Sequence, residues 1–466
     1  MTHSSHSSPT KFVRPLEDAW QNVIDATLRE RGAPITSDVE RLAPKVAVLS
    51  RAYNAGLGPV PEFDSTSADS AANVIGGGLL RCSSSTYFRT SPPRASNPAQ
   101  NALSPPRSGI QGQALAGDRG EVRAPTLPLE ARVGFSFARD VPKGSAAVRE
   151  LVAKGALAIP EARPLRIVDV GAGLGAMTWG VVRALEAANQ SGSVNALLVD
   201  EDRAVLTVAR TIADKAASRF STAPVKLTVE TRTESIRPGL RLPQADLLVM
   251  GQVLSELDLA LAPQDRVARH AAILSEWLAS SVSERGALVV IEPALRNRTR
   301  HLHAVRDALI MEGKAQVLAP CLHALVCPAY AIAGEWCHDD LDVDLPAWLV
   351  PLARAAGLRW QGLTFSYLVL RAPEAHARAG KPEAHARRLR LRVISDVMRT
   401  KGKIEMFGCT EAGDRIRLRR LDRDANACNA VMSELHRGDI VTLTADSQGL
   451  VEGGRIAPNV TVEIES

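Results

Sequence analysis

Apolar residues recur along this chain with two different periods, and the changes of period divide it. Phe12, Leu16, Trp20, Ile24 and Leu28 repeat every four residues, and a second apolar-periodic stretch runs from Val39 to Leu49. Both predict helix, so a helical segment is expected over 1–63. From 64 to 128 neither a period of 2 nor one of 3.6 survives. Ser, Pro, Gly and Arg dominate there, with Ser83-Ser84-Ser85, Pro92-Pro93 and Pro105-Pro106. Such a stretch buries too little apolar surface to offset its chain entropy, so a disordered insertion is expected. Order returns at Leu129, and Val148, Leu151 and Val152 fit a helix ending near Gly155.

Beyond Gly155, strand and helix patterns alternate. Strands are predicted at Arg166–Val170, Ala196–Val199, Val225–Val229, Asp246–Met250, Ala287–Ile291 and Phe365–Leu370. Helices are predicted at Ala176–Ala187, Ala204–Ala217, Val253–Leu257, Val267–Leu278 and Arg296–Glu312. Alternation at this spacing argues for a parallel sheet covered on both faces, in one α/β domain over 129–370. A basic, Ala-rich linker is expected over 371–400. After it come short segments with turn signals: Ile404–Gly408, Ile416–Leu421, Ile440–Thr444 and Val460–Ile464, with a helix near Asn429–Leu435. They predict a small, mostly antiparallel β-domain over 401–466.

Composition sharpens this outline. A chain of 466 residues with 45% hydrophobic content has room for two to four packed domains. No run of 18 apolar residues occurs, so no membrane helix is expected. The opening MTHSSHSSPTKF lacks the basic-then-apolar order of a secretory signal. Six cysteines in such a length do not make a disulfide scaffold, which favours a reducing compartment. Net charge is +5, yet between Arg371 and Arg423 there are 15 Lys/Arg against 7 Asp/Glu. The basicity is therefore local, as for a face that meets a polyanion, although a solvated helix face would read the same way.

Asp169-Val170-Gly171-Ala172-Gly173-Leu174-Gly175 follows a predicted strand and opens a predicted helix. Glycines there let the backbone approach a ligand where a Cβ would collide. A dinucleotide fits the pattern, with Ala176 as its last member. Three features favour S-adenosylmethionine. Asp169 precedes the first glycine by two residues, suited to organising the loop and the ligand's ammonium end. Asp200 ends the next strand, where a carboxylate can take two ribose hydroxyls. Asp246 heads ADLLVMGQVLSEL, the segment expected to border the adenine and the transferable methyl, with Gln252 as a further cofactor contact. The expected cofactor residues are Asp169, Gly171, Ala172, Gly173, Gly175, Asp200 and Gln252. No catalytic base stands out: Glu256 and Glu292 are the strand-end acids, and each reads equally as a structural acceptor.

Cys321, Cys327 and Cys337 fall within 17 residues, in a loop over 320–338, and Cys409 is a candidate fourth ligand. His323 and His338 flank them. Four thiolates hold an iron–sulfur cluster, while zinc takes four cysteines or three and a histidine. Wide spacing closed by a distant cysteine suits a cluster, whose irons are spread out. Cys82 is read as a bystander and Cys428 as a packing residue.

Taken together, FSFARDVPKG (Phe135–Gly144), IVDVGAGLGAMTW (Ile167–Trp179), DLLVMGQVLSEL, VVIEPAL, APCLHALVCP with EWCH, FSYLVLR and GCTEAG resemble the methyltransferase-like proteins of the small ribosomal subunit, found in mitochondria and some bacteria. The resemblance covers most of the chain after residue 130. It implies a class I (Rossmann-like) methyltransferase domain, binding to small-subunit rRNA in ribosome assembly or translation, and a 4Fe–4S cluster. Its cluster ligands fall on Cys321, Cys327, Cys337 and Cys409. The family's loop usually reads Gly-Pro-Gly where this chain has Gly173-Leu174-Gly175. Two alternatives stand beside it: a working S-adenosylmethionine-dependent RNA methyltransferase, and a small-molecule methyltransferase with structural zinc. A monomer is expected, cytoplasmic if bacterial and in the mitochondrial matrix if eukaryotic.

Overall fold

The computed structural model describes residues 12–55, 128–360, 362–373, 388–445 and 454–465. The 64–128 stretch, apart from Pro128, and Cys82 within it lie outside these residues. Helices α1 (Ala19–Glu30) and α2 (Val39–Ala55) form where the four-residue repeat predicts them. The repeat places Leu16, Trp20, Ile24 and Leu28 on one side, and they are buried with Leu42, Val46 and Leu49. Trp20 packs against Phe137, Trp179 and Phe220, with ring centroids 5.9, 4.7 and 5.1 Å away. This anchors the helical segment on the domain that follows. After one π-helical turn (Arg132–Ser136), helix α3 (Phe137–Ala153) runs into that domain.

The central sheet contains β1 (Leu165–Val170), β2 (Gly192–Asp200), β3 (Val225–Thr233), β4 (Ala245–Gly251), β5 (Val282–Glu292), β6 (Gln316–Ala319), β7 (Asp339–Leu341) and β8 (Leu363–Arg371). Their order is β3-β2-β1-β4-β5-β8-β6, with β7 paired to β8. β1 to β5 run parallel; β8 runs antiparallel to β5 and to β6. Adjacent residues of one strand enter different cores: Ile167 and Leu247 one, Val168 and Leu248 the other. Burial on both faces explains the unbroken apolar runs that mark these strands in the sequence. Helices α4 (Ala176–Ala187), α5 (Arg203–Arg219), α6 (Pro263–Ser280) and α7 (Arg296–Met311) connect them, and the short α8 (Val350–Ala355) precedes β8.

Val253–Leu257, expected as a helix, is instead part of a string of turns reaching Leu261. The arginine of α6 at position 266 takes the Leu254 and Leu257 carbonyls, and Asp258 adopts a left-handed φ of 55°. The Leu257 amide still donates to the Val253 carbonyl at 3.0 Å, but the pairing goes no further.

A second sheet holds β9 (Arg388–Val393), β10 (Met398–Thr400), β11 (Lys403–Thr410), β12 (Arg415–Leu421), β13 (Ile440–Ala445) and β14 (Val460–Ile464). β12 and β9 both pair with β11, β13 joins β9 to β14, and Arg455 bridges to Arg419 of β12. The strands thus close around Leu391, Val393, Met406, Leu418, Val441, Leu443 and Ile456 as a small barrel. β9 and β10 lie inside 371–400, the stretch expected as a linker. Alternation of Leu389, Leu391 and Val393 with three arginines is a strand pattern that the charge count conceals. Residues 374–387 lie outside those described. The helix expected near Asn429–Leu435 is one 3-10 turn, Ala430–Ser433. Residues 12–55 and 128–465, as far as described, form one compact unit.

Candidate functional site

Strand order reverses between β1 and its neighbours β2 and β4, which opens a crevice at their carboxyl ends. The glycine loop lies there. Gly171, Gly173 and Gly175 have φ of 66°, 54° and 79°, a region that favours glycine. The Gly171 and Ala172 amides donate to the Val199 carbonyl at 2.8 and 3.1 Å. A Cβ on Gly171 would overlap the Val253 side chain.

Asp200 shapes this loop: its Oδ2 accepts from the Gly173 amide at 2.8 Å and its Oδ1 from the Asp202 amide at 2.9 Å. Asp169 is 1% exposed. Its Oδ2 accepts from the Thr178 hydroxyl at 2.8 Å and amide at 3.3 Å, while Oδ1 is buried without a hydrogen-bond partner. Burial lifts the Asp169 pKa to about 7 against the Thr178 hydrogen bonds, and the Asp200 charge adds to the rise. Gln252 follows β4 with a left-handed φ of 62°, its amide donating to the Ile291 carbonyl at 2.6 Å.

Asp246 does not join them. It sits at the opposite end of β4, bound by Arg163 at 2.5 Å and Arg166 at 3.0 Å. A strand's first residue lies at the edge of the sheet away from the crevice. Asp246 therefore ties β4 to the start of β1. Two residues that the sequence did not single out border the loop. Arg132 Nη2 lies 3.0 Å from where a Gly173 Cβ would stand. Tyr53 has Arg132, Glu256, Asp140 and Arg139 as charged neighbours, and burial raises its pKa. Arg132 lies in an irregular turn, so no periodicity could flag it. Of the strand-end acids, Glu292 is 1% exposed and burial raises it to about 7. Glu256 is raised as well, first by burial.

The second constellation is a small cavity lined by Cys321, Cys327, Cys337 and Cys409, with His303, His323 and His338 in its walls. Arg306, fully buried, shapes the loop: its Nε donates to Cys321 Sγ at 3.2 Å, Nη1 to the Leu325 carbonyl at 2.8 Å and Nη2 to the His323 carbonyl at 2.9 Å. Both Asp307 carboxylate oxygens accept from the Cys327 amide at 3.1 Å. Cys409 Sγ lies 3.4 Å from His323 Nε2.

Arg392 fastens the barrel to this loop. Its Nε donates to the Pro320 carbonyl at 2.6 Å, and its Nη2 to both Glu150 oxygens at 2.8 Å. Tyr367 also donates to Glu150, at 2.9 Å, and the neighbouring Arg149 pairs with Asp339 at 2.5 Å.

Burial raises three of the thiols first, and neighbouring thiols add to the rise: Cys327 goes to about 11, Cys409 to about 12, and Cys337 well above its ordinary value. A donor set of this kind is stable as thiols, and ionises when cations are present to offset the repulsion. Among the described residues, no three or more His, Cys, Asp or Glu side chains are grouped so as to hold a metal ion. Cys428, expected to pack, is exposed.

Five parallel strands ordered 3-2-1-4-5, an antiparallel strand between the fifth and the sixth, and a glycine loop after the first define a class I methyltransferase fold. A family model described as mitochondrial small ribosomal subunit Rsm22 matches residues 132–424, and the chain belongs to that family. No curated protein matches it by sequence. Solved structures that resemble it include magnesium protoporphyrin IX methyltransferase of Synechocystis with S-adenosylmethionine bound. That protein is 12% identical, with 51% of this chain and 84% of that one covered, at a TM-score of 0.29. An S-adenosylmethionine-dependent methyltransferase of Leishmania major is 14% identical, with 53% and 79% covered, at a TM-score of 0.28. These likenesses are distant, and the fold class rests on the strand order.

Proposed function

We propose that this protein binds S-adenosylmethionine in the β1–β4 crevice and acts on the small ribosomal subunit, through rRNA, in ribosome assembly or translation. The observation that supports the cofactor most directly is the buried, unpartnered Asp169 Oδ1 beside a glycine cradle that a Cβ would fill. Asp169, Gly171, Ala172, Gly173, Gly175, Asp200 and Gln252 would hold the cofactor, which supplies an electrophilic methyl group when bound. Asp169 offers a negative charge to the ammonium end, and Asp200 keeps the loop open while retaining lone pairs for hydroxyls. Arg132, next to the loop, provides a cation for the cofactor's carboxylate. Family membership supports the subunit as partner, and the matrix as location if the source is eukaryotic. Calorimetry tests the cofactor: Asp169→Asn should weaken binding, and tighter binding of NADH than of S-adenosylmethionine would overturn the assignment.

The cysteine cavity is proposed as a 4Fe–4S site held by Cys321, Cys327, Cys337 and Cys409. The donor chemistry fits, because four thiols line one cavity and a 4Fe–4S cluster takes one thiolate at each iron. Mononuclear zinc, held by the four cysteines or by three of them with His323, is the alternative occupant. Brown, anaerobically purified protein containing iron and sulfide is the expected result; stoichiometric zinc without sulfide would refute it. The second reading, a working RNA methyltransferase, draws on the buried Glu292, whose raised pKa suits proton transfer. Cofactor binding without methyl transfer to rRNA would leave the assembly role alone.

A further inference from the structure

The outer face of the C-terminal barrel carries a row of cations, of which only Arg415, at the end nearest Cys409, also reaches the cysteine loop. On β12, Arg415, Arg417 and Arg419 alternate with Ile416, Leu418 and Arg420. Leu418 and Arg420 turn inward, while Arg417 and Arg419 are exposed. Successive outward residues of a strand lie about 6.7 Å apart. Across the ladder, Arg415 stands opposite Cys409, Arg417 opposite Phe407, Arg419 opposite Glu405 and Leu421 opposite Lys403. Glu405, one of two acids that pair with this row, is 3% exposed beneath Lys403 and Arg417, each 2.8 Å away. Lys401 is exposed at the turn into β11. The Arg415 guanidinium, which pairs with Glu335 at 3.2 Å, also lies 3.8 Å above the Phe407 ring centroid.

We propose that this face, built on Lys401, Lys403, Arg415, Arg417 and Arg419, binds a single-stranded segment of RNA. The inference rests on the rRNA-binding reading above and names the surface and the form of nucleic acid. Width decides the form. β10, β11 and β12 together span roughly 10 Å at about 4.8 Å per strand spacing, the width of one backbone rather than of a duplex. A row of cations along one β-strand can follow the phosphates of one extended strand. A guanidinium plane backed by an aromatic ring gives an unpaired base a platform, which bases inside a duplex cannot use. An acidic polypeptide offers charge to the row but nothing to stack on that platform.

The test uses full-length protein and a labelled oligouridylate of about 12 nucleotides, within the range one small barrel covers. A duplex RNA of the same length and polyglutamate serve as competitors. The single strand should bind best. The triple variant Lys401→Ser/Arg417→Ser/Arg419→Ser should bind it roughly tenfold or more weakly, and lower the slope of log K against log salt by about 2. Arg415→Lys should weaken binding about fivefold or more with little change of slope, since the charge stays and the plane is lost. Arg203→Ser/Arg210→Ser, on the exposed side of α5, should behave as wild type. If wild type binds RNA and the triple variant matches it, the surface is wrong and the rRNA reading survives. Equal binding of duplex, or preference for polyglutamate, overturns the proposal. No RNA binding by wild type overturns both.

Discussion

At Asp169 a carboxylate is held where water cannot reach one of its oxygens, and burial raises its pKa to about 7. The sign of the consequence follows. A folded-state pKa above the ordinary 3.8 means that the native protein keeps a proton which the unfolded chain releases. Stability therefore falls as pH rises between those values. An ammonium group placed against Oδ1 favours the ionised form, so S-adenosylmethionine affinity should fall up to about tenfold per pH unit below 7. Calorimetry from pH 5.5 to 8 checks this, and Asp169→Asn should flatten the profile. Gly171 gives a second prediction at this scale. A Cβ there has positive φ and overlaps Val253, so Gly171→Ala should cost more than about 1 kcal/mol in thermal unfolding and abolish cofactor binding. The role of Gly171 could be anticipated from its place between a strand and a helix. The Val253 contact could not, because it joins positions far apart in the chain.

At the scale of elements, α3, β8 and β9 meet in one buried ion network. Burial alone would raise Glu150, but the charges of Arg392 and Arg149 outweigh it and hold it at about 2. A depressed carboxylate adds stability that is present above pH 4.5 and is lost as pH falls toward 2. Removing one partner leaves a charge buried alone, so Arg392→Leu should destabilise the protein by about 3–5 kcal/mol in urea titration. Adding Glu150→Leu should recover part of the loss, because no unpaired charge remains. Arg392 lies in a stretch whose charge reads as a solvated linker, yet it is 3% exposed. Charge counts say nothing about which arginines are buried, and the two-residue period of β9 sets Arg388, Arg390 and Arg392 on one face; only the contact with Pro320 and Glu150 singles out Arg392.

For the molecule as a whole, two kinds of fastener join the barrel to the methyltransferase fold. Cys409 of β11 brings a thiol to the cavity lined by Cys321, Cys327 and Cys337, and as a cluster ligand it would be the first fastener. Arg392 and Arg415 bring ion pairs to Glu150 and Glu335. Cys409→Ser should therefore lose iron and colour in anaerobic preparations while the protein's resistance to limited proteolysis persists. Arg392→Leu should do the reverse of the second effect and open the protein to cleavage. Cys428→Ser and Cys82→Ser should retain full iron content. Release of the barrel by Cys409→Ser alone would mean that the ligand, rather than the ion network, holds it.

Local repetition was enough to place the long helices and most strands, since a buried parallel strand and an amphipathic helix each need a particular apolar period. The glycine loop was legible too, because a tight turn against a ligand requires glycine at fixed offsets. Tertiary structure decided what depends on distant parts of the chain. It bound Asp246 to Arg163 and Arg166, and it left Val253–Leu257 as turns with two carbonyls taken by Arg266. It also buried Arg392 between the barrel and the methyltransferase fold, against Pro320 and Glu150. Each of these is set by which surfaces come together when the sheets close, and that is not encoded in any local spacing.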